Sequence, residues 1–410
     1  MTLIIPVEPL HGEFLGRGAT KNIIFLLPRN AGARPRKARL GVYYHREMKE
    51  IRQIINLYDQ LKASEVPTAL AVVVEVEQSS YRRVGARLLV GSDGRYIGGI
   101  SGGCLEGDAL RRARTAILSD KPSFHVYDTL DGEDEVIGIG LGCNGRIKIM
   151  FLPLDFTDPV NEVERLREVT GTRIPVLFAR LLEGKNGSLP PTKLFPINDL
   201  EDLAEYLIVE TASLARTAKE YQSAGRSKVA KISNKEGRVP AVLFEIVQPE
   251  IHLVVTGTNY DIPPTLRAAK NLGWRTTVIG PRRKFTREME ALANQLLDYS
   301  EAERLKPDAA TAIALMSHDY DWDRRMVQHF LPLKPAYFGM LGPRKRVESM
   351  AKELPGLPLL NFPNLYSPIG LDIGAETPEE IAASLVSEII MVFRDRSGGP
   401  LRQRAGSIHT

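Results

Sequence analysis

The sequence predicts an α/β protein: an N-terminal mixed α/β domain followed by a doubly wound parallel-sheet domain. Three observations predict it. The 410 residues suffice for two or three domains. Between residues 69 and 153, valine-rich and leucine-rich runs alternate with hairpin turn signals around one amphipathic helix pattern. From residue 251, apolar strands alternate with helices, as in a parallel sheet covered on both faces.

Residues 1–47 read as a basic, disordered leader. They hold eight basic and three acidic residues, so the formal charge of +4 for the whole chain leaves −1 for the rest. The segment ARPRKAR at 33–39 has little periodicity. A basic arm could bind nucleic acid, but nothing downstream reads as a nucleic-acid reader. The leader reads as an upstream extension that the folded protein does not need.

The first domain is expected over 48–250. Met48 opens a helix with Ile51, Ile54, Ile55, Tyr58 and Leu61 on one face. ALAVVVEV at 69–76, ARLLV at 86–90 and RYIGGI at 95–100 read as strands, with a Gly91-Ser92-Asp93-Gly94 hairpin turn between the last two. A helix follows to about 119. Strands are then expected near 123–127, 135–142 and 146–153, the last two joined at Asn144-Gly145. VLFARLL at 176–182 and AVLFEIV at 241–247 read as strands, and 198–222 as helical. The second domain, 251–395, has strands at IHLVVTG, RTTVIG, TAIALMS and AYFGML. Thr377-Pro378-Glu379-Glu380 is a capping box with proline at the first helical position, opening a helix to about 394. Residues 396–410 read as a tail.

Composition excludes several classes. No apolar run is long enough to span a bilayer, and no secretory signal is evident. Two cysteines make no disulfide framework and no structural zinc site, which points to a reduced, cytoplasmic setting.

The chemistry concentrates in SGGCLE at 101–106, immediately ahead of a helix with Leu105, Ala109, Leu110, Ala113, Ala116 and Ile117 at helical spacing. The free N–H groups and dipole of a helix start favour negative charge, and a thiol held there ionises more easily. Gly102 and Gly103 would let a ligand approach the backbone. Cys104 is then either a thiolate beside an anion pocket or a small buried residue at a turn. In EQSSYRRVGAR, Arg82, Arg83 and Arg87 around Gly85 are either a clamp for phosphate or carboxylate or a solvated hairpin edge. In GIGLGCNG, Gly138, Gly140 and Gly142 share one strand face suited to a flat ligand. Cys143 falls by parity on the other face, as a buried thiol, or shares a soft ligand with Cys104 if the two converge.

The second domain looks Rossmann-like, but its dinucleotide fingerprint is incomplete. Asn259 stands two residues after Gly257, where a glycine is needed, and Gly280 stands where a ribose-binding acid is expected. NAD(P) binding is weakly supported; an NAD(P)-linked oxidoreductase is the alternative reading, and a purely structural domain another. GMLGPRKR, with Gly342 and Arg344, and His318-Asp319 fall on the same rim of the sheet, as a ligand crevice would require.

The stretches EQSSYRRVGARLLV, GGISGGCLE, GLGCNGRIKI, AYFGMLGPRKR and YSPIGLDIGAETPEEIA resemble the XdhC/CoxI family over roughly 48–395. The resemblance implies a maturation factor, more a cofactor-binding chaperone than an enzyme. It would bind molybdenum cofactor (molybdopterin), protect it during sulfuration and deliver it to the apo-enzyme of a molybdenum hydroxylase such as xanthine dehydrogenase. A cysteine desulfurase is a further implied partner, and a homodimer the implied assembly. The family's thiol falls on Cys104, a possible molybdenum contact, and its second GC element on Cys143. The residues expected at cofactor are Arg82, Gly85, Ser101, Gly102, Gly103, Cys104, Glu106, Gly142, Cys143, Gly257, His318, Gly342 and Arg344. Three departures stand out: Asn144 after Cys143, GTNY after the first Rossmann strand, and Gly280.

Overall fold

The computed structural model describes residues 47–78, 81–128, 145–182, 194–197, 200–225, 227–234, 237 and 239–404. The chain begins with α1 (Glu47–Ala63), β1 (Thr68–Gln78), β2 (Arg87–Gly91), β3 (Tyr96–Gly98), α2 (Glu106–Ser119), β4 (Ser123–Asp128), β5 (Gly145–Pro153) and α3 (Glu162–Val169). The five strands form an antiparallel sheet in the order β3-β2-β1-β5-β4. β1 is apolar without a break from Ala69 to Val74 because both faces of that stretch are covered. Ala69, Ala71 and Val73 pack with Ala109, Ala113 and Ala116 of α2, whereas Leu70, Val72 and Val74 pack with Ile51, Ile54, Tyr58 and Leu61 of α1. The expected 135–142 strand and the Asn144-Gly145 turn fall at 135–144, outside the described residues, apart from Gly145.

A second sheet follows: β6 (Val176–Leu181), β7 (Phe195–Pro196), α4 (Glu201–Leu207), α5 (Thr211–Ala224), β8 (Lys228–Lys231) and β9 (Ala241–Val247), ordered β7-β6-β9-β8. Phe178, Leu182, Leu243 and Val247 join the core beneath α1, so the two sheets share one interior. The opposite face carries α4 and α5 through Leu203, Leu207, Leu214 and Ala218. The helical stretch expected over 198–222 is therefore two helices. The break falls at Ile208, left-handed at φ 57°, where the Ile208 and Val209 N–H groups turn back to the carbonyls of Glu205 and Ala204.

The C-terminal domain comprises β10 (His252–Thr256), α6 (Ile262–Asn271), β11 (Arg275–Ile279), α7 (Arg287–Leu292), β12 (Gln295–Leu297), β13 (Thr311–Leu315), α8 (Tyr320–Phe330), β14 (Tyr337–Met340), α9 (Arg344–Glu353), β15 (Leu365–Tyr366) and α10 (Pro378–Phe393). All its strand pairs are parallel, in the order β12-β11-β10-β13-β14-β15. This is a Rossmann-like sheet whose strand order reverses between β10 and β13. The capping box at Thr377 and Glu380 forms as expected. No helix among the described residues is long and apolar enough to cross a membrane.

Polar contacts tie this sheet to the first domain. Arg173 grips Asp308 through two bonds of 2.8 and 2.9 Å and donates to the Glu250 carbonyl. The Lys49 ammonium reaches the Asn271 carbonyl at the end of α6. His252 sits in this zone, bonded to the Thr277 hydroxyl at 2.8 Å. Burial, then the Arg173 and Arg275 guanidiniums, pull its imidazole down to about 4, with Asp308 opposing. The fold therefore holds the neutral ring. Its contribution is complete above the unfolded value near 6.5 and is lost as pH falls towards about 4. Chemical denaturation between those limits should show a loss of roughly 3 kcal/mol that His252→Gln abolishes; the same pH slope in both proteins would refute this role.

Candidate functional site

The SGGC turn is organised by one hydroxyl. Ser101 Oγ accepts from the Gly103 and Leu105 N–H groups, each at 3.1 Å, and donates to Glu106 Oε2. Glu106 Oε1 accepts from the Ser101 N–H at 2.9 Å. Burial pushes the Glu106 carboxyl up, but the hydrogen bonds from Ser101 outweigh it and hold it below its ordinary value. The Cys104 thiol donates towards Ser101 Oγ, with Sγ 3.7 Å away. Cys104 is exposed, not sealed in the core. Gly103 is left-handed, φ 113°, and nothing lies within 4 Å of where a Cβ would stand, so the backbone beside the thiol is open. Gly102 lies under the ring of Tyr81, itself 68% exposed. α2, directly behind, buries Ala109, Ala113 and Ala116 and so fixes the turn to the sheet.

The expected arginine clamp is engaged elsewhere. Arg82 pairs with Glu50 of α1 at 2.6 and 2.7 Å. Arg87 is neither a clamp nor a solvated edge. It is buried, bonded to Glu162 at 3.0 Å and paired with Glu245 at 2.7 Å. Glu162 in turn takes Arg180 at 2.6 Å. Gly85 serves this cluster: its carbonyl accepts from Arg87, and a Cβ on it would stand 2.9 Å from a Glu245 oxygen. Two amides of the turn, those of Gly103 and Leu105, are also committed, to Ser101. What the turn presents is an exposed thiol on open backbone rather than a ring of cations. Gly142 and Cys143, with the glycine strip before them, lie outside the described residues, so a meeting of Cys143 with Cys104 has no geometry here.

The other expected residues lie on the C-terminal rim of the parallel sheet. Gly257 has φ 115°, and a Cβ there would stand 2.5 Å from the Met316 carbonyl oxygen. It is needed because the β10 and β13 loops touch. Asn259, in the fingerprint's glycine position, ties those loops together by donating to the Ser317 carbonyl at 2.9 Å. His318 is left-handed, φ 56°, and its Nε2 lies 2.8 Å from a buried Asp261 carboxylate. Gly342 is left-handed at φ 114°. Arg344 is exposed and pairs with Glu348 at 3.3 Å, while Arg346 is held by buried Asp323 at 2.7 Å. Burial raises the Asp323 carboxyl, against the Ser317 and Arg346 bonds. Sequence reasoning missed Asp261, Tyr81, Glu162 and Glu245. Only the last had a signal: a glutamate inside AVLFEIV, like the arginine inside VLFARLL, has to find a buried partner. No cluster of three or more metal-ligating side chains occurs among the described residues.

Fold and site together define a two-part α/β protein: an antiparallel domain presenting a thiol turn at a helix start, then a Rossmann-like sheet with an altered nucleotide rim. A family model described as the XdhC and CoxI family matches residues 61–128, and one described as the XdhC Rossmann domain matches 253–389. The chain belongs to the XdhC/CoxI family. It is 26% identical over 351 residues to a Bacillus subtilis protein described as a probable xanthine dehydrogenase subunit, covering 82% of this chain and 96% of that one. A 101-residue stretch is 33% identical to the uncharacterized protein YqeB of Escherichia coli, covering 24% of this chain but 18% of YqeB. A crystal structure of a xanthine dehydrogenase from Bacillus halodurans superposes with a TM-score of 0.64 at 25% identity, over 84% of this chain and 96% of that one.

Proposed function

We propose that this protein is a maturation factor for a molybdenum hydroxylase of the xanthine dehydrogenase type. It binds molybdenum cofactor at the SGGC turn and hands it to the apo-enzyme. The observation that carries the reading is the exposed Cys104 thiol, placed on open backbone by the Ser101 hub. A soft sulfur donor suits a metal–sulfur centre, and the space beside Gly103 admits a bulky ligand. When bound, the cofactor supplies the molybdenum and its sulfur ligands. The protein's residues hold and release it. Ser101 fixes the turn and receives the thiol proton's hydrogen bond. Glu106, kept ionised, anchors Ser101. Tyr81, largely exposed, covers Gly102, two residues before the thiol. One protein ligand, rather than a closed metal cage, fits a carrier that must give its cargo away.

The test is retention. The chain is purified from cells that make molybdenum cofactor, and molybdenum and released pterin are counted per chain. Cys104→Ser should retain at least about tenfold less, while its melting temperature stays unchanged, because an exposed side chain contributes within about 0.5 kcal/mol. Equal, negligible retention by wild type and variant would defeat the reading.

A further inference from the structure

The rim of the Rossmann-like sheet lacks the groups that would hold a dinucleotide and carries others in their place. In dinucleotide sheets the pyrophosphate sits on free N–H groups at the helix after the first strand. Here that helix is α6. Its first residue, Ile262, gives its N–H to the Asn259 carbonyl at 3.1 Å. Its second and third residues are Pro263 and Pro264, which have no N–H to give. A carboxylate stands at the helix start as well. Asp261 is 3% exposed, and its Oδ1 is buried without a hydrogen-bond partner among the described residues. Its other oxygen holds His318, whose side chain is 49% exposed. Neither Arg344 nor Arg346 offsets this charge, since both are paired with acids.

The Asp261–His318 pair has a direction. A carboxylate accepts, so it fixes the proton on Nε2 of the neutral ring and leaves Nδ1 as a bare acceptor. The left-handed backbone at His318 is a conformation that non-glycine residues adopt only under constraint.

We propose that this crevice recognises its ligand through the ligand's N–H or O–H donors, at the His318 imidazole backed by Asp261, and rejects the pyrophosphate that the same position holds in dinucleotide-binding sheets. Asp261, Pro263 and Pro264 are the specificity-determining residues. The inference is independent of Cys104 and of the cofactor-carrier reading.

The full-length chain is titrated calorimetrically with NAD+, NADP+ and ADP. Wild type should show no saturable binding up to ~1 mM, and Asp261→Asn/Pro263→Ala/Pro264→Ala should gain at least roughly tenfold for ADP. If the triple variant does not melt cooperatively, Pro263→Ala/Pro264→Ala, which keeps the Asp261–His318 pair, should show a smaller gain. In parallel, nitrogen-15 spectra of labelled histidine, with His318→Gln to assign the signal, should show the neutral form of His318 carrying its proton on Nε2. Micromolar binding of NAD+ or NADP+ by wild type overturns the proposal. So does a folded variant that gains nothing, or a neutral His318 protonated on Nδ1.

Discussion

Glu162→Ala is expected to lose about 3–5 kcal/mol of stability, among the largest effects of any single substitution in the N-terminal domain. Four charged side chains, Arg87, Glu162, Arg180 and Glu245, are buried together with side-chain exposures of 3% or less. They come from β2, α3, β6 and β9 and lie where the two sheets share their interior. Burial pushes the Glu162 carboxyl up, but the Arg180 and Arg87 guanidiniums outweigh it and hold it ionised below its ordinary value. Removing that carboxylate leaves two buried guanidiniums around one acid, and an uncompensated buried charge is the costly state. A double variant, Glu162→Leu/Arg180→Met, restores charge balance and should recover more than half of the loss, which separates charge from packing. Urea titrations of the three proteins provide the measurement. A single-variant loss below about 1 kcal/mol would mean that the cluster is not the dry, coupled unit described. The cluster also acts on the site. Arg87 holds the Gly85 carbonyl through its side chain and the Gly99 N–H through its own carbonyl, at 2.7 and 2.8 Å, so Glu162→Ala should lower cofactor retention too.

The architecture was legible wherever local pattern and burial agree. β1 reads as a strand because a run such as ALAVVVEV has few other uses, and its double-sided burial explains the missing alternation. β10, β11, β13 and β14 are each buried on both faces and read as apolar runs between helices. Elements without a period of their own were not legible. β7 and β15 are two residues long and β12 three; they are strands only because a neighbouring strand pairs with them. α3, with Asn161 accepting from Val163 and Glu164 N–H, had a cap signal but only two turns, too short for periodicity to stand out.

The site divides along the same line. The SGGC turn is contiguous, so its glycines, thiol and helix start can be read together, and Glu106 belongs to the turn because it is five residues from Ser101. What the arginines do depends on residues far away. Arg82 finds Glu50 across 32 positions, and Arg87 finds Glu162 across 75. Basic residues clustered in sequence look like an anion clamp until their acids are known. The rim shows the reverse. Asn259 and Gly280 mark the altered fingerprint directly, but the meaning of His318 depends on Asp261, which lies 57 residues away.

Gly98→Ala should be nearly as damaging as the loss of Glu162, whereas Gly103→Ala, five residues on, should be mild. Both glycines have left-handed backbones, with φ 94° and 113°. That conformation alone costs a side chain about 1–2 kcal/mol. The difference lies in the space around them. A Cβ on Gly98 would fall onto the Arg87 carbonyl oxygen, well inside contact distance, because the Gly99 N–H bonds to that same oxygen. Backbone cannot rotate away as a side chain can, so β3 and the segment running into Ser101 must shift. We expect a loss of about 3 kcal/mol or more for Gly98→Ala, from strain plus the broken pairing of β2 with β3. Gly103→Ala meets nothing within 4 Å and should cost only the backbone term, about 1–2 kcal/mol. The two variants also separate stability from function. Gly103→Ala places a methyl group in the open space beside Cys104, so retention should fall while the fold survives. Gly98→Ala should lower the melting temperature and retention together. Equal melting temperatures for the two variants would show that the 98–101 segment yields freely. The rigid placement of the thiol, on which the carrier reading depends, would then be lost.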